Sequence, residues 1–312
     1  MKLSNDPTPS RERGQILFIF ALALVAIVAM TGLVLDGGST FVQRRDVQNA
    51  ADAAAMAGAY DYANNGSVTS AITAAKAVAV ANGYTDGVNG VVVQVSVGAG
   101  GGGATDITAG ISKPHRNSFS GIVGLPSWGV STTATAETGL PNIVVGALPI
   151  IFNEKDFPGA LGPTVTTTFT EPGTGSADVP LQGQFNWTVF CTANGNPCNG
   201  NSSTVEGYLT DRGQPTTVNL GDAIGPLNAG AHATLFSGLA ALVPGEFPVA
   251  IVTDSGQLVG FATFVLESSV GGSTKAISGK FKDMASYKGM KINRGAGPAT
   301  TNYGTVVVRL TN

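Results

Sequence analysis

The longest run of predominantly hydrophobic residues lies near the N-terminus, from Ile16 to Leu35, and only Thr31 and Gly32 interrupt it. It contains no charged residue, and as a helix with a rise of about 1.5 Å per residue it is about 30 Å long, the thickness of the hydrocarbon core of a bilayer. Charged residues flank the run, with Arg13 before it and Asp36 after it. This pattern predicts a single transmembrane helix within residues 14–37.

The alternative interpretation of the run is a cleaved secretory signal. Such a signal usually has an apolar core of about 7 to 15 residues, followed at once by a small-residue cleavage site. The run here is longer, and its A-x-A patterns fall inside it or well beyond it. We therefore expect a retained anchor. Basic residues are slightly more numerous before the run than after it, which favours a cytoplasmic N-terminus and an exported C-terminal part.

After the anchor the pattern becomes helical and rich in alanine, and then alternates. The alanine run presents small side chains that allow a close approach of another helix, either of the same domain or of another subunit. The predicted elements of this part are helices at 41–62, 67–81 and 116–124 and strands at 91–97, 106–112 and 128–137. The helix at 41–62 continues the membrane helix as a stalk, and the other five elements form a small α/β unit packed on it, which ends before Pro141.

The rest of the chain consists of short apolar segments separated by Gly, Pro and Asn. The candidate strands are 165–170, 184–191, 217–220, 247–253, 258–266, 275–281 and 305–310, with one helix at 231–242. Asp254, Ser255 and Gly256 predict a hairpin turn between two of these strands. Strands at this spacing indicate an antiparallel sandwich or barrel.

The predicted fold class is therefore α+β and membrane-anchored. A single N-terminal transmembrane helix is extended by an Ala-rich helix and followed by a small α/β unit and a C-terminal antiparallel β-sandwich or barrel-like domain. The predicted domains are a cytoplasmic tail at 1–13, the transmembrane helix at 14–37, a juxtamembrane helical stalk with the α/β unit at 38–140, and an exported β-rich domain at 141–312.

Composition agrees with an exported, β-rich protein. Only 12% of the residues are charged, and 43 of 312 are glycine, about twice the usual proportion. The net charge of -3 provides no basic face for a nucleic acid, so no nucleic-acid partner is expected. Cys191 and Cys198 lie seven residues apart across a turn-rich segment. In an oxidising compartment we expect a disulfide that closes this loop.

The sequence contains no motif typical of a catalytic, cofactor-binding or metal-binding site. His115 and His232 are the only histidines, and neither lies near a G-x-S-x-G elbow, so we interpret both as loop histidines. Because the sequence contains only two cysteines in addition to these two histidines, a tetrahedral zinc site is not expected. Asp211, Asp222 and Asp254 leave a calcium site open, although turn aspartates usually cap backbone amides. We expect a protein that is not an enzyme and has no cofactor.

The segment from Arg11 to Ala59 resembles the N-terminal module of the TadE/TadG-like proteins of Flp (Tad) pilus assembly. The matching features are Gly14 and Gln15 before the hydrophobic run, Asp36 after it, the Arg44 and Arg45 pair, and Gln48, Asn49, Ala50, Ala51 and Asp52 leading into the alanine run. The resemblance covers about a sixth of the chain closely and the next hundred residues or so loosely.

The resemblance implies a non-catalytic structural or accessory component of pilus assembly in the bacterial cytoplasmic membrane, with its C-terminal domain periplasmic or extracellular. Its partners would be the membrane and other pilus-assembly proteins, through assembly contacts at Asp36, Arg44, Arg45, Gln48, Asn49 and Asp52. Type IV pilins are cut after a glycine and carry a glutamate shortly afterwards. Gly14 is suitably placed, but no acid occurs between Gln15 and Leu35, so we expect an uncleaved accessory protein.

Two alternatives stay open from the sequence. Asp52 lies too far from Arg44 and Arg45 for an ion pair within one helix, so these charges either bridge two subunits or are solvated. The second concerns function: instead of a pilus-assembly component, the protein would be a membrane-anchored surface adhesin whose β domain binds carbohydrate or cell-wall polymer. Six basic residues between Lys275 and Arg294 would suit an anionic partner, or form a solvated face.

Overall fold

The computed structural model describes residues 13–157, 162–172, 179–191, 201–213, 217–225, 232–283 and 286–311. The predicted cytoplasmic tail at 1–13, apart from its last residue, lies outside the described residues. So does Cys198, and with it the predicted disulfide to Cys191.

The described helices and strands follow the chain in this order. The helices are α1 (Arg13–Asn65), α2 (Val68–Ala81), α3 (Ser202–Thr210) and α4 (Ala233–Ala240). The strands are β1 (Val92–Ala99), β2 (Thr105–Arg116), β3 (Ser127–Gly139), β4 (Ile143–Val145), β5 (Ile150–Asn153), β6 (Thr167–Thr170), β7 (Phe185–Trp187), β8 (Val189–Phe190), β9 (Thr217–Asn219), β10 (Ile224–Gly225), β11 (Gly245–Val252), β12 (Leu258–Val270), β13 (Ala276–Phe281), β14 (Met290–Lys291) and β15 (Val307–Thr311).

Helix α1 is continuous over 53 residues, which confirms that an alanine-rich helix extends the apolar one. Its second half buries small side chains at a spacing of three or four residues, as in Val47, Ala51 and Ala55. At Gly58 a Cβ atom would lie 2.9 Å from Ile107 Cγ2 and 3.3 Å from Ala75 Cβ of α2. The absence of a side chain there lets α1 and α2 approach closely, so the alanine run packs within its own chain.

The four-stranded sheet has the order β1-β2-β3-β15. The last described strand, β15, pairs antiparallel with the second half of β3 and places Arg309 opposite Glu137. A segment near the end of the sequence therefore belongs to the same sheet as the strands after α2. Smaller sheets have the orders β14-β4-β9 and β10-β8.

The largest sheet is mostly antiparallel and nearly closes into a barrel, as predicted. Its order is β6-β13-β12-β11-β5-β7, with one parallel pair between β11 and β5. The edge strands meet where the Thr170 amide donates to the Gly183 carbonyl at 3.2 Å. Aromatic rings fill the interior, and Phe152 lies within about 5 Å of the rings of Phe169, Phe264 and Phe281. The predicted hairpin turn at Asp254 connects β11 and β12.

Several elements differ from the sequence prediction. Strand β5 is not predicted by the sequence, because it has only four residues, all of them buried, and a run this short shows neither alternation nor the length typical of a buried strand. Helix α3 was also missed, although Asn201 caps it by accepting a hydrogen bond from the Thr204 amide at 2.9 Å. The helix predicted at 116–124 is only a short 3₁₀ turn at Ser120–Val123.

The described residues form two compact units. The described residues of the first lie within 13–54, 76–95 and 109–134, and those of the second lie within 55–75, 96–108 and 135–311. The first unit contains the predicted transmembrane helix, and the second contains the barrel-like sheet.

Asp156 should make the stability of the second unit depend on pH. It is buried, one carboxylate oxygen accepts from the Gly183 amide at 2.7 Å, and the other has no hydrogen-bond partner among the described residues. Burial raises the pKa of Asp156 above its ordinary value of 3.8. The native state therefore holds this proton more tightly than the unfolded chain does. Its contribution to the free energy of unfolding falls as pH rises from the ordinary pKa through the raised one.

The variant Asp156→Asn keeps the acceptor for Gly183 and removes the charge. We expect urea unfolding of the full chain in detergent, measured between about pH 4 and about pH 7, to show a flatter pH dependence for the variant and slightly higher stability at neutral pH. An unchanged slope would contradict the assignment to Asp156.

Candidate membrane-anchor and assembly site

The first half of α1 presents its apolar side chains outward. Within Ile16–Leu35 the large hydrophobic residues are all more than half exposed, with Val34 reaching 73%. Among the described residues, α1 is the one helix that is long and apolar enough to cross a membrane. An apolar surface of this length on a helix is consistent with contact with lipid.

Asp36 lies where this surface ends, and it is turned into its own chain. The side chain is only 2% exposed. Oδ1 accepts a hydrogen bond from the Ser118 amide at 2.9 Å, and Oδ2 accepts from the amides of Phe119 and Ser120 at 3.0 and 2.6 Å. The carboxylate therefore holds the segment between β2 and β3, which we call the 117–126 loop, against α1.

The 117–126 loop is closed at its base. The Asn117 amide donates to the Pro126 carbonyl at 3.0 Å, and the Asn117 side chain donates to the Leu125 carbonyl at 2.9 Å. Gly124, with a φ of 90°, takes the left-handed conformation that the return of the chain requires. Sequence reasoning missed this loop as a feature of interest. The available signal was an uncharged segment with three large apolar residues spaced by three.

The other predicted assembly residues lie on α1 beyond Asp36. Arg44, Arg45 and Asn49 are exposed, and neither arginine forms an ion pair within the part of the chain that the structure describes. Gln48 donates to Asp52 Oδ1 at 2.7 Å, one helical turn away. Five of the six predicted residues thus remain at the surface of the helix, whereas Asp36 lies on its buried face. Their role in assembly stays a prediction.

His115 of strand β2 contacts α1 about one to two helical turns beyond Asp36, at Ser39 and Gln43. Its Nδ1 lies 2.6 Å from Gln43 Oε1, and its Nε2 lies 3.0 Å from Ser39 Oγ. Gln43 also donates to the Lys113 carbonyl at 3.3 Å. His115 was expected in a loop, but it lies in β2, and both ring nitrogens contact side chains of the helix.

A buried carboxylate organises charges in the second unit. Glu137 is fully buried; its Oε2 accepts from Nε and Nη2 of Arg294 at 2.9 and 2.7 Å, and its Oε1 accepts from Arg309. Arg294 also binds both oxygens of Asp106, at 2.7 and 2.9 Å. The charges of two carboxylates and two guanidinium groups thus cancel. Their ion pairs connect β15 and the segment after β14 to strands β2 and β3.

The basic run between Lys275 and Arg294 is largely paired inside the molecule. Lys275 contacts Glu171 at 3.8 Å, Lys280 contacts Glu267 at 3.3 Å, and Lys282 contacts Glu246. Arg294 belongs to the Glu137 cluster. These pairs reduce the positive surface available to an anionic polymer, and carbohydrate binding stays a prediction.

The turn aspartates do not form a common site among the described residues. Asp222 Oδ2 accepts from the Asn219 amide at 2.8 Å, and Asp254 accepts from Asn153 Nδ2 at 2.9 Å and pairs with Lys155. Within these residues no group of three or more His, Cys, Asp or Glu side chains could hold a metal ion.

Comparison with known proteins bears on the N-terminal part of the chain. Residues 14–61 match a family model described as putative Flp pilus-assembly TadE/G-like. No curated protein and no solved structure matches the chain. The match begins just before the apolar surface of α1 and includes Asp36 and the other predicted assembly residues. The resemblance inferred from the sequence is confirmed, and it extends over residues 14–61, which are similar to TadE/G-like Flp pilus-assembly proteins.

Proposed function

We propose that this protein is a non-catalytic accessory component of Flp/Tad-type pilus assembly. In this proposal α1 anchors it in the bacterial cytoplasmic membrane, with the N-terminus in the cytoplasm and the β-rich region exported. The observation that carries the proposal is that the family match at 14–61 coincides with the described helix that is long and apolar enough to span a membrane. The anchor and the pilus-assembly module are thus one element.

The exposed polar face of α1 is the surface that we assign to other pilus proteins. Arg45, Asn49 and Asp52 follow one another at three- or four-residue spacing, so they lie on one side of the helix, away from the buried alanines. Arg44 and Arg45 have no ion-pair partner among the described residues. A guanidinium group can bind a carboxylate of a partner through two parallel hydrogen bonds, which makes these arginines suitable docking groups.

Reversing both charges, as Arg44→Glu with Arg45→Glu, should reduce the number of surface pili by about tenfold or more, the effect of losing about 1.4 kcal/mol of binding free energy. The measurement is electron microscopy of a deletion strain complemented with the variant. Removing positive charge from the exported side reinforces the proposed orientation, so a loss of pili would not result from an inverted anchor.

The matched control is Lys288→Glu with Lys291→Glu. It makes the same change of net charge at two exposed lysines that have no ion-pair partner in the described part of the chain. We expect this variant to assemble pili normally. Normal piliation by the Arg44 and Arg45 variant, at wild-type protein level, would refute the assembly role of this helix face. Pili that persist in the deletion strain itself would refute the proposed function.

A further inference from the structure

The 117–126 loop carries large apolar side chains that its own unit does not cover. Phe119, Ile122 and Leu125 are 40%, 82% and 54% exposed. No residue from 117 to 126 is charged. In a water-facing loop these side chains would be an unexplained exposed apolar patch.

The loop lies alongside the apolar surface of α1. A Cβ atom at Gly32 would be 2.4 Å from Phe119 Cβ, so the missing side chain makes room for that ring. Loop and helix enclose an apolar groove of about 380 Å³, whose walls include Leu24 and Val28 of α1 and Ile122 of the loop. Leu24 is 11 residues before Leu35, which corresponds to about 16 Å along a helix. If Ile16–Leu35 spans the bilayer, the groove extends to about the middle of the hydrocarbon core.

Most backbone amides of the loop are paired within the protein, which lowers the cost of contact with lipid. The three amides of residues 118–120 donate to Asp36. The remaining pairs are Asn117 to Pro126, Ile122 to Phe119, Gly124 to Gly121 and Leu125 to Ser120, at 3.0 to 3.3 Å. Seven amides of this short loop therefore have acceptors inside the first unit.

The residues that bracket the loop are those found where protein meets lipid head groups. Arg116 precedes it and is exposed, and Trp128 follows it and is partly exposed. Arginine and tryptophan are typical of the membrane interface, because each combines an apolar part with a polar or charged end. Uncharged apolar residues thus lie between two interfacial anchors.

We propose that the 117–126 loop inserts into the bilayer beside α1, with Phe119, Ile122 and Leu125 among the acyl chains of the leaflet on the exported side. This inference rests on the proposed transmembrane anchor. The loop is then a second attachment to the membrane. Asp36 binds the loop to α1. The inserted loop and the transmembrane helix together therefore fix the rotation of α1 about its own axis. The polar face with Arg45 and Asn49 then points in a defined direction in the plane of the membrane.

The test is quenching of tryptophan fluorescence by lipid in the full chain. The parent carries Trp128→Phe, so that its remaining native tryptophan is the buried Trp187. Single tryptophans are added as Ile122→Trp in the loop, Val34→Trp in the anchor and Val165→Trp at an exposed site in the second unit. Each protein is reconstituted in two sets of phosphatidylcholine vesicles, with acyl chains brominated near the head groups in one set and at mid-chain in the other, because position 34 lies near the end of the hydrocarbon core and the groove extends to about its middle.

We expect the added fluorescence at positions 34 and 122 to be quenched at least about twofold more than that at 165, because the bromines reach only residues within the hydrocarbon. Quenching at 34 without quenching at 122 would overturn the inserted loop and leave the anchor in place; the apolar side chains would then be free for a protein partner. If neither position is quenched, the anchor fails, and with it the proposed function.

Discussion

Replacing Asp36 with alanine should release the 117–126 loop from α1 and make it the first site of cleavage by a protease that cuts beside large apolar residues. The amides of Ser118, Phe119 and Ser120 would lose their acceptor while remaining packed against the helix. An amide that is removed from water and left without a partner is costly, so the loop would open more often. In detergent-solubilised full chain we expect cleavage about tenfold faster than in the wild type, since cleavage follows the population of the open form.

Two further variants make this result specific. Asp46→Ala removes an exposed acid from the same helix and should leave the cleavage rate unchanged. Asp36→Asn keeps one acceptor oxygen but directs an NH₂ group at a backbone donor, so an intermediate rate is expected. If Asp36→Ala is cleaved no faster than Asp46→Ala, the carboxylate does not hold the loop.

Replacing Glu137 with alanine should destabilise the second unit much more than the loss of an exposed ion pair does. The carboxylate is fully buried, and its removal leaves Arg294 and Arg309 without their shared partner. Loss of one member of a buried ion pair typically costs about 3 to 5 kcal/mol. Both arginines are about two-fifths exposed, so solvent reduces this cost, and we expect about 2 to 3 kcal/mol. Urea unfolding followed by the fluorescence of the buried Trp187 measures it.

The comparison variants separate charge from shape. Glu137→Gln keeps the size and one acceptor, so we expect a loss of about 1 kcal/mol, as for a single hydrogen bond. Glu246→Ala removes a surface ion pair with Lys282 in which both side chains are about half exposed, and such pairs contribute less than about 1 kcal/mol. Equal destabilisation by Glu137→Ala and Glu246→Ala would show that the buried cluster contributes no more than an exposed pair.

The position of β15 affects how the chain can be dissected. A fragment that ends at residue 140 follows the domain boundary predicted from the sequence. It would lack β15, which pairs with β3. It would also lack Arg294 and Arg309, which pair with Glu137. The unpaired edge of β3 and the buried carboxylate would both destabilise the fragment. Assembly experiments are therefore better made with point variants of the full chain.

The sequence by itself determined the elements whose signal is local. The length and charge pattern of Ile16–Leu35 predicted the long apolar helix, the alanine run predicted its helical continuation, and short apolar segments bounded by turn residues predicted most strands of the barrel-like sheet. These predictions succeed because helix and strand periodicity place apolar side chains on one face whatever the partner is. The family resemblance was also carried by neighbouring residues, from Gly14 to Asp52.

The tertiary structure alone decided which residues meet. Asp36 was predicted as an assembly contact, and only the fold shows that it binds amides more than 80 residues later. Likewise Glu137 meets Arg294 and Arg309 more than 150 residues away, and β5 joins a sheet in which both of its faces are buried. The physical reason is that a local pattern specifies which face of an element is apolar or polar. The partner of that face is set by packing between segments distant in the chain, and no single stretch of sequence records it.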